Sequence, residues 1–332
     1  MTRIAILGAG SIVQNAHLPA WRQHADAEVA CLVDVRAEVA ERVARDHGIP
    51  VWSADYRAVL ADPTIDAIDL CLPHHLHAPV ALECLQAGKH LLIEKPIALD
   101  LPSALAVVAA AEAAGRMLMV AENWRYASAT VEAERLIRDG AIGAPFLLKA
   151  AMEFYLRPAA AGDNWRLRQD HAGGGVLLDS GIHTMSVARL LMGEMVEVAA
   201  VRGKQLWSEL APSEDTLALL TRFADDSIGV LDFSWRAHRE HPTFAFEVLG
   251  TEGTLDFDIN TGSLSLLRDG QREERPQTKS SGFAEETRHF LDCLRDGSPS
   301  RSGGLEETRT LAAILAAYRS VESRRMEQVD PV

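Results

Sequence analysis

The chain has 332 residues, 48% of them hydrophobic and 24% charged, with a formal net charge of −14. That length suits two domains better than one, since single cores stop growing at roughly 250–300 residues. The acidic balance, with no block of Lys or Arg, excludes a protein that grips a nucleic-acid backbone. The longest apolar tract, Leu101 to Val120, is broken by Pro102, Glu112, Gly115 and Arg116 and is too interrupted to span a bilayer.

In chain order, short apolar runs come first: Ile4–Leu7, Val29–Val33, Ala67–Leu72, Leu91–Ile93 and Met117–Ala121. Helix-period stretches lie between them at Ala16–Gln23, Ala37–Asp46, Ala78–Ala87 and Ser103–Ala114, and Gly48, Gly88 and Gly115 each follow one. Strand, helix, strand at this spacing predicts an α/β domain, a doubly wound parallel sheet with helices on both faces. After residue 122 the pattern changes. Thr216–Phe223, Ser227–Trp235, Phe244–Leu249 and Leu255–Ile259 read as strands joined by tight turns, and Phe283–Asp296 and Leu305–Glu322 as two closing helices. The second domain is therefore expected to be α+β on a largely antiparallel sheet, with domains at 1–122 and 123–332.

Gly8-Ala9-Gly10 follows the first strand and precedes a helix. The first glycine permits the turn, and the second leaves room for a pyrophosphate against backbone N–H groups at a helix N-terminus. The third small residue of that fingerprint falls at position 13, where this chain has Val13. Asp34 ends the second run, placed to accept from ribose hydroxyls and to repel a 2′-phosphate, which favours NAD over NADP. Its plainer alternative is a cap for the following helix. Arg36 is placed to soften that preference or to stack on adenine. Leu72-Pro73-His74-His75-Leu76-His77 opens the next carboxyl-edge loop. Its histidines show no metal-ligand spacing, so no metal is expected, and cofactor contacts or loop capping fit better.

Two constellations carry chemistry. Glu94-Lys95-Pro96 ends a strand at the carboxyl edge. A lysine there, partly desolvated beside a cationic nicotinamide, is suited to acid–base work. Proline after it demands an extended or cis geometry, and Glu94 is free to pair with Lys95 or with a backbone group. The plainer reading is a solvated surface lysine. Gly173-Gly174-Gly175 enters a helix-period stretch, Leu177–Leu191, on which Asp179 and His183 stand at i and i+4 with Gly181 between them. A carboxylate beside an imidazole raises its basicity and prepares a base for an alcohol proton. An Asp–His surface pair that merely supports the helix is the alternative.

The four cysteines, Cys31, Cys71, Cys84 and Cys293, show no C-x-x-C spacing and read as free thiols in a reducing compartment. With no signal-peptide pattern visible, the expected location is the cytoplasm.

Taken together, these motifs resemble the Gfo/Idh/MocA family of glucose–fructose oxidoreductase, inositol dehydrogenase and a rhizopine-catabolism protein. The resemblance runs over nearly the whole chain. It includes Ala16-His17-Leu18-Pro19-Ala20, Ala87-Gly88-Lys89-His90 leading into Glu94-Lys95-Pro96, Gly140-x-x-Gly143 before a strand, and Asp179-x-Gly181-x-His183. Val13 departs from the family pattern. The family implies an N-terminal Rossmann domain and a C-terminal domain with a large open sheet, one face of which makes dimers or tetramers. It implies NAD-dependent hydride transfer at a carbinol carbon of a sugar, cyclitol or other small polyhydroxylated substrate. Lys95, Asp179 and His183 match the catalytic set: His183 takes the hydroxyl proton, Lys95 polarises that oxygen, and Asp179 places the substrate or orients His183. Lys95 and His183, from separate domains, are expected to converge at the nicotinamide. Cofactor contacts are implied at Gly8, Gly10, Ser11 and Ile12, at Asp34 and Arg36, and at Leu72, Pro73, His74 and His77. Glu94 and Lys95 complete that set. Tyr126, Trp165 and Arg166 join Lys95, Asp179 and His183 toward substrate. Arg125, Arg157, Arg166 and Arg168 stand near the expected mouth, either for an anionic substrate group or paired with Asp163 or Asp170. An enzyme that keeps NAD bound for epimerisation, elimination or glycosidic cleavage, and a non-catalytic dinucleotide sensor, are the competing readings.

Overall fold

A computed structural model describes residues 1–156, 165–210, 212–275 and 279–332. They form two compact units, Met1–Glu122 with Phe283–Thr308, and Asn123–Gly282 with Arg309–Val332. The sequence reading assigned everything after residue 122 to the second domain; Phe283–Thr308 instead packs with the first unit. The cause is where the apolar face of helix Phe283–Asp296 finds partners. Phe290 meets Trp21 edge-on at 6.1 Å between centroids, and the Phe283 ring lies 5.9 Å from that of His17. Beyond this helix, Ser302 accepts from the Val120 N–H at 2.8 Å and its hydroxyl donates to the Val120 carbonyl at 2.7 Å.

The first unit holds a six-stranded sheet of β1 (Thr2–Leu7), β2 (Ala27–Val33), β3 (Val51–Ser53), β4 (Ala67–Leu70), β5 (His90–Glu94) and β6 (Leu118–Ala121). Their order is β3-β2-β1-β4-β5-β6 and every pairing is parallel. Helices cover both faces, so the central strands are apolar throughout rather than alternating, and Ile4–Leu7 and Leu91–Ile93 are fully buried. One polar residue interrupts these runs: Asp69 in β4, also fully buried. β3 escaped the sequence reading because it is a three-residue edge strand with Val51 and Trp52 exposed. The carboxyl ends of β1, β2, β4 and β5 open on one edge of this sheet.

The second unit holds nine strands: β7 (Pro145–Glu153), β8 (Met195–Arg202), β9 (Thr216–Phe223), β10 (Ile228–Ser234), β11 (Thr243–Gly250), β12 (Thr254–Asp258), β13 (Ser263–Arg268), β14 (Gln271–Glu274) and β15 (Glu327–Gln328). The order is β14-β13-β12-β11-β7-β10-β9-β8-β15, antiparallel except where β7 meets β10. Here burial alternates. On β9, Leu217, Leu219 and Phe223 are buried while Ala218, Leu220 and Arg222 face out; on β10, Leu231 and Phe233 are buried while Ile228 and Val230 face out. The sheet therefore has one covered face, against which helix Ile182–Met192 packs, and one open face. Sequence pattern missed β8, β13, β14 and β15, and β7 was expected only from the resemblance at Gly140-x-x-Gly143; β14 is exposed at every residue and carries no apolar alternation. Among the described residues no helix is long and apolar enough to cross a membrane.

Candidate active site

The dinucleotide turn is built where β1 ends. Gly8 sits at φ +106°, and a methyl group added there would run into the Cys71 carbonyl oxygen, so both backbone and space require glycine. Its N–H donates to the Val33 carbonyl at 2.7 Å, tying the turn to β2. Gly10 is exposed with nothing within 4 Å of an added Cβ, and Ser11 and Ile12 after it are exposed too. This is the open approach a pyrophosphate needs. The helix that follows starts as a π-helix, Val13–His17, an uncommon turn that recurs at functional sites. Val13 is fully buried at its start, so the departure from the fingerprint fills core and leaves Gly10 open.

Asp34 is 8% exposed at the end of β2. Its carboxylate accepts from the Ala9 N–H at 3.1 Å, from the Arg36 N–H at 3.0 Å and from the Arg36 guanidinium at 3.1 and 3.2 Å. Burial works against its charge, but these Arg36 and backbone bonds hold its carboxyl below the usual range. The cap position of the next helix belongs to Arg36, so Asp34 is not that helix's N-cap. Glycine turn, open helix start and ionised acid fit NAD.

Along the same edge, His74 is buried in the short helix His74–Leu76 and Leu72 and Pro73 are half-buried. His77, expected among the cofactor contacts, is fully buried with its ring nitrogens 2.6 Å from the Pro96 carbonyl and 2.7 Å from the Leu72 carbonyl. Both nitrogens face loop carbonyls inside the core, so His77 packs between the Leu72 and Pro96 loops and is not open to a ligand. Lys95 is half-buried after β5, and the Lys95–Pro96 peptide is cis. Glu94 Oε2 accepts the Lys95 N–H at 3.0 Å, while Oε1 lies 3.0 Å from His17 Nε2.

In the second unit, Asp179 lies in a second π-helix, Leu177–Gly181, and His183 in the first turn of helix Ile182–Met192. Of the three glycines before them, Gly173 ends helix Gln169–Ala172 at φ +78° and the other two serve close packing. Gly174 lies against the Tyr318 hydroxyl and Gly175 against the Glu214 backbone, where a side chain would collide. Glu214 then accepts the Gly175 N–H at 3.1 Å and the Leu177 N–H at 2.9 Å, and Tyr318 donates to it at 3.1 Å. A buried carboxylate thus caps the helix start that carries the expected base. Gly181, between Asp179 and His183, packs on the Phe233 ring.

Asp179 accepts from Arg166 Nε at 3.2 Å, and the Arg166 guanidinium lies 4.4 Å over the Trp165 ring, so Trp165, Arg166 and Asp179 come together. The His183 ring stacks on Trp124, 5.1 Å between centroids and 23° between planes. Tyr126 is buried beside it in the short helix Asn123–Tyr126. Arg125 is 2% exposed and donates to the Ser186 hydroxyl at 2.7 Å, which makes it a support for the His183 helix rather than a substrate arginine. Arg168 pairs with Asp170 at 2.9 Å; Arg157 and Asp163 lie outside the described residues. Trp124 and Glu214 went unread in the sequence, but Asp69 had a signal: a lone carboxylate in the apolar run Ala67–Leu72 must have a buried partner. That partner is His17, with Asp69 2.9 Å from Nδ1.

Comparison with known proteins decides the family. Residues 2–122 match the model of the Gfo/Idh/MocA oxidoreductase family, NAD-binding Rossmann fold, and residues 130–256 match the Gfo/Idh/MocA C-terminal domain. The chain belongs to the Gfo/Idh/MocA family. It is an NAD-binding oxidoreductase. It is 30% identical to D-apiose dehydrogenase of Paraburkholderia graminis, covering 98% of this chain and 91% of that one. It is 26% identical to myo-inositol 2-dehydrogenase of Thermotoga maritima, covering 99% of each. The structure of aldose–aldose oxidoreductase from Caulobacter crescentus in complex with glycerol matches this Gfo/Idh/MocA chain with a TM-score of 0.90 at 27% identity, over 98% of this chain and 99% of that one.

Proposed function

We propose that this enzyme moves hydride between NAD and a carbinol carbon of a small sugar, cyclitol or related polyol. The observation that carries the reading is the first unit's carboxyl edge, where an open glycine turn, an ionised Asp34 and a half-buried Lys95 share one sheet. The named relatives, dehydrogenases of D-apiose and myo-inositol, supply the substrate class. Bound NAD supplies the hydride acceptor. Gly10, Ser11 and Ile12 receive its pyrophosphate, Asp34 its ribose hydroxyls. Lys95 donates a hydrogen bond to the substrate oxygen and stabilises the charge that grows there as the proton leaves. His183 takes that proton, its ring held by the Trp124 face. Asp179 and Arg166, paired in this structure, orient the remaining hydroxyls, with Tyr126 and Trp165 as apolar walls.

We further propose a dimer or tetramer formed through the open face of the nine-stranded sheet, where Val201 is 73% and Leu220 52% exposed beside Ile228 and Val230. Four free cysteines fit a reducing cytoplasm.

The deciding experiment supplies purified enzyme with NAD and a panel of aldoses, anhydrosugars and inositols, following NADH absorbance and product identity. Net NADH with loss of one substrate is the expected result. Turnover without net NADH would move the assignment to an enzyme that recycles its cofactor in place. No product from any polyol would remove the substrate class.

A further inference from the structure

Hydride transfer leaves one buried polar cluster of the first unit without a task. His17, 1% exposed, closes the π-helix that begins just after the dinucleotide turn. Its Nδ1 lies 2.9 and 3.1 Å from the two Asp69 oxygens, and its Nε2 3.0 Å from Glu94 Oε1. Asp69 also accepts from Trp21 Nε1 at 2.7 Å and from the Cys71 thiol at 3.3 Å, while Glu94 Oε2 accepts the Lys95 N–H. Two further carboxyl groups, Glu286 of helix Phe283–Asp296 and Glu122 after β6, are wholly buried and act on the same cluster. Neither Glu286 oxygen has a hydrogen-bond partner, and burial, with the neighbouring carboxylates, pushes that carboxyl well up, toward its neutral form.

A neutral imidazole has one N–H. Between two carboxylates at about 3 Å it would turn a lone pair on one of them, a repulsion that a dry interior does not screen. A second ring proton converts that contact into a charge-assisted hydrogen bond. We propose that His17 is held as an imidazolium between Asp69 and Glu94 and is a positioning residue for Lys95. By pinning one Glu94 oxygen, it aims the other at the Lys95 N–H and sets the path along which the lysine side chain leaves the sheet edge. It also joins the π-helix of the dinucleotide turn to the lysine turn, so cofactor and acid–base group share one rigid support. Burial opposes the charge on His17, but Asp69 and Cys71 together outweigh it and lift the ring well above ordinary imidazole basicity. The positioning role rests on the reading of Lys95 as the catalytic lysine; the charge on His17 does not.

The two parts separate in experiment. Nitrogen NMR of full-length enzyme with isotope-labelled histidine, assigned through His17→Gln, is read at about pH 8, where an ordinary imidazole is neutral. Two protonated ring nitrogens are expected. One unprotonated nitrogen overturns the imidazolium, as does about one equivalent of tightly held metal per chain, since His17, Asp69 and Cys71 offer ligand atoms within 4.8 Å of one another. His17→Gln is expected to lower kcat by about 10²-fold with little change in KM for NAD, as displacement of a reacting group does. A loss confined to KM for NAD would reassign His17 to the cofactor turn and overturn its service to Lys95. Should His17→Gln not fold, Glu94→Gln keeps an acceptor for the Lys95 N–H while removing the charge that holds the proton. That variant should lose one His17 ring proton and lose kcat; an unchanged spectrum with unchanged kcat overturns the proposal. A fully active Lys95→Ala enzyme overturns the catalytic reading and the positioning role with it, while the nitrogen spectrum alone still decides the imidazolium.

Discussion

Lys95 and Asp34 show how one side chain's surroundings set its task. If Lys95 stabilises charge on the reacting oxygen, Lys95→Ala should lower kcat by about 10²–10⁴-fold, with circular dichroism and melting temperature close to those of the parent. Full activity would take lysine out of the mechanism. Asp34 keeps its charge because Arg36 and two backbone N–H groups bind the ionised form in spite of burial. NAD should therefore bind more tightly than NADP. Asp34→Ser removes the repulsion of a 2′-phosphate and should raise NADP affinity by roughly tenfold, the equivalent of about 1.4 kcal/mol. Fluorescence titration of both cofactors checks the order, and parent enzyme that prefers NADP refutes it.

At the scale of elements, both motif-bearing turns end in π-helices, Val13–His17 and Leu177–Gly181. The second is held from outside by Glu214, whose carboxylate caps its first N–H groups, and by glycines that let the Glu214 strand lead-in and Tyr318 approach. Gly175→Ala would press a methyl group into the Glu214 backbone, which cannot swing away as a side chain end can. It should destabilise the fold by about 1–3 kcal/mol and reduce kcat through His183. A neutral Gly175→Ala variant, by denaturant titration and kinetics, would show that the glycine run is not a packing device.

For the whole molecule, the open sheet face decides assembly and pH response. Leu220→Glu puts a charge among Val201, Ile228 and Val230 and should yield monomers by light scattering. Unaltered mass would move the interface elsewhere. On the same face Asp232 of β10 lies beside Glu153 of β7, which Arg239 also contacts. Burial, then the Glu153 charge, pushes the Asp232 carboxyl up from 3.8 to about 6. A raised carboxyl binds its proton more tightly folded than unfolded, so this site's stability is lost as pH rises from about 4 to about 6. Asp232→Asn should raise the melting temperature by an amount that grows across that window and is constant above it. A gain independent of pH would assign the effect to something other than this pair.

Much of the first unit was legible because a two-sided parallel sheet demands long apolar strands, and three of them ended at a marked residue: Gly8, Asp34, Glu94. The lysine turn was equally local and equally readable, whereas the π-helix that carries Asp179 leaves no mark in the helical period. The second sheet was read in part, since β14 and β15 sit at its margins and bury too little to leave a pattern. Tertiary structure alone decided that helix Phe283–Asp296 belongs with the first unit, that His77 and Arg125 are supports, and that His17 lies between Asp69 and Glu94. Periodicity and turn chemistry act over a few residues and are written in the local sequence. Partners 52 and 77 positions apart meet only when the chain folds, and no local pattern records which buried charge will answer which.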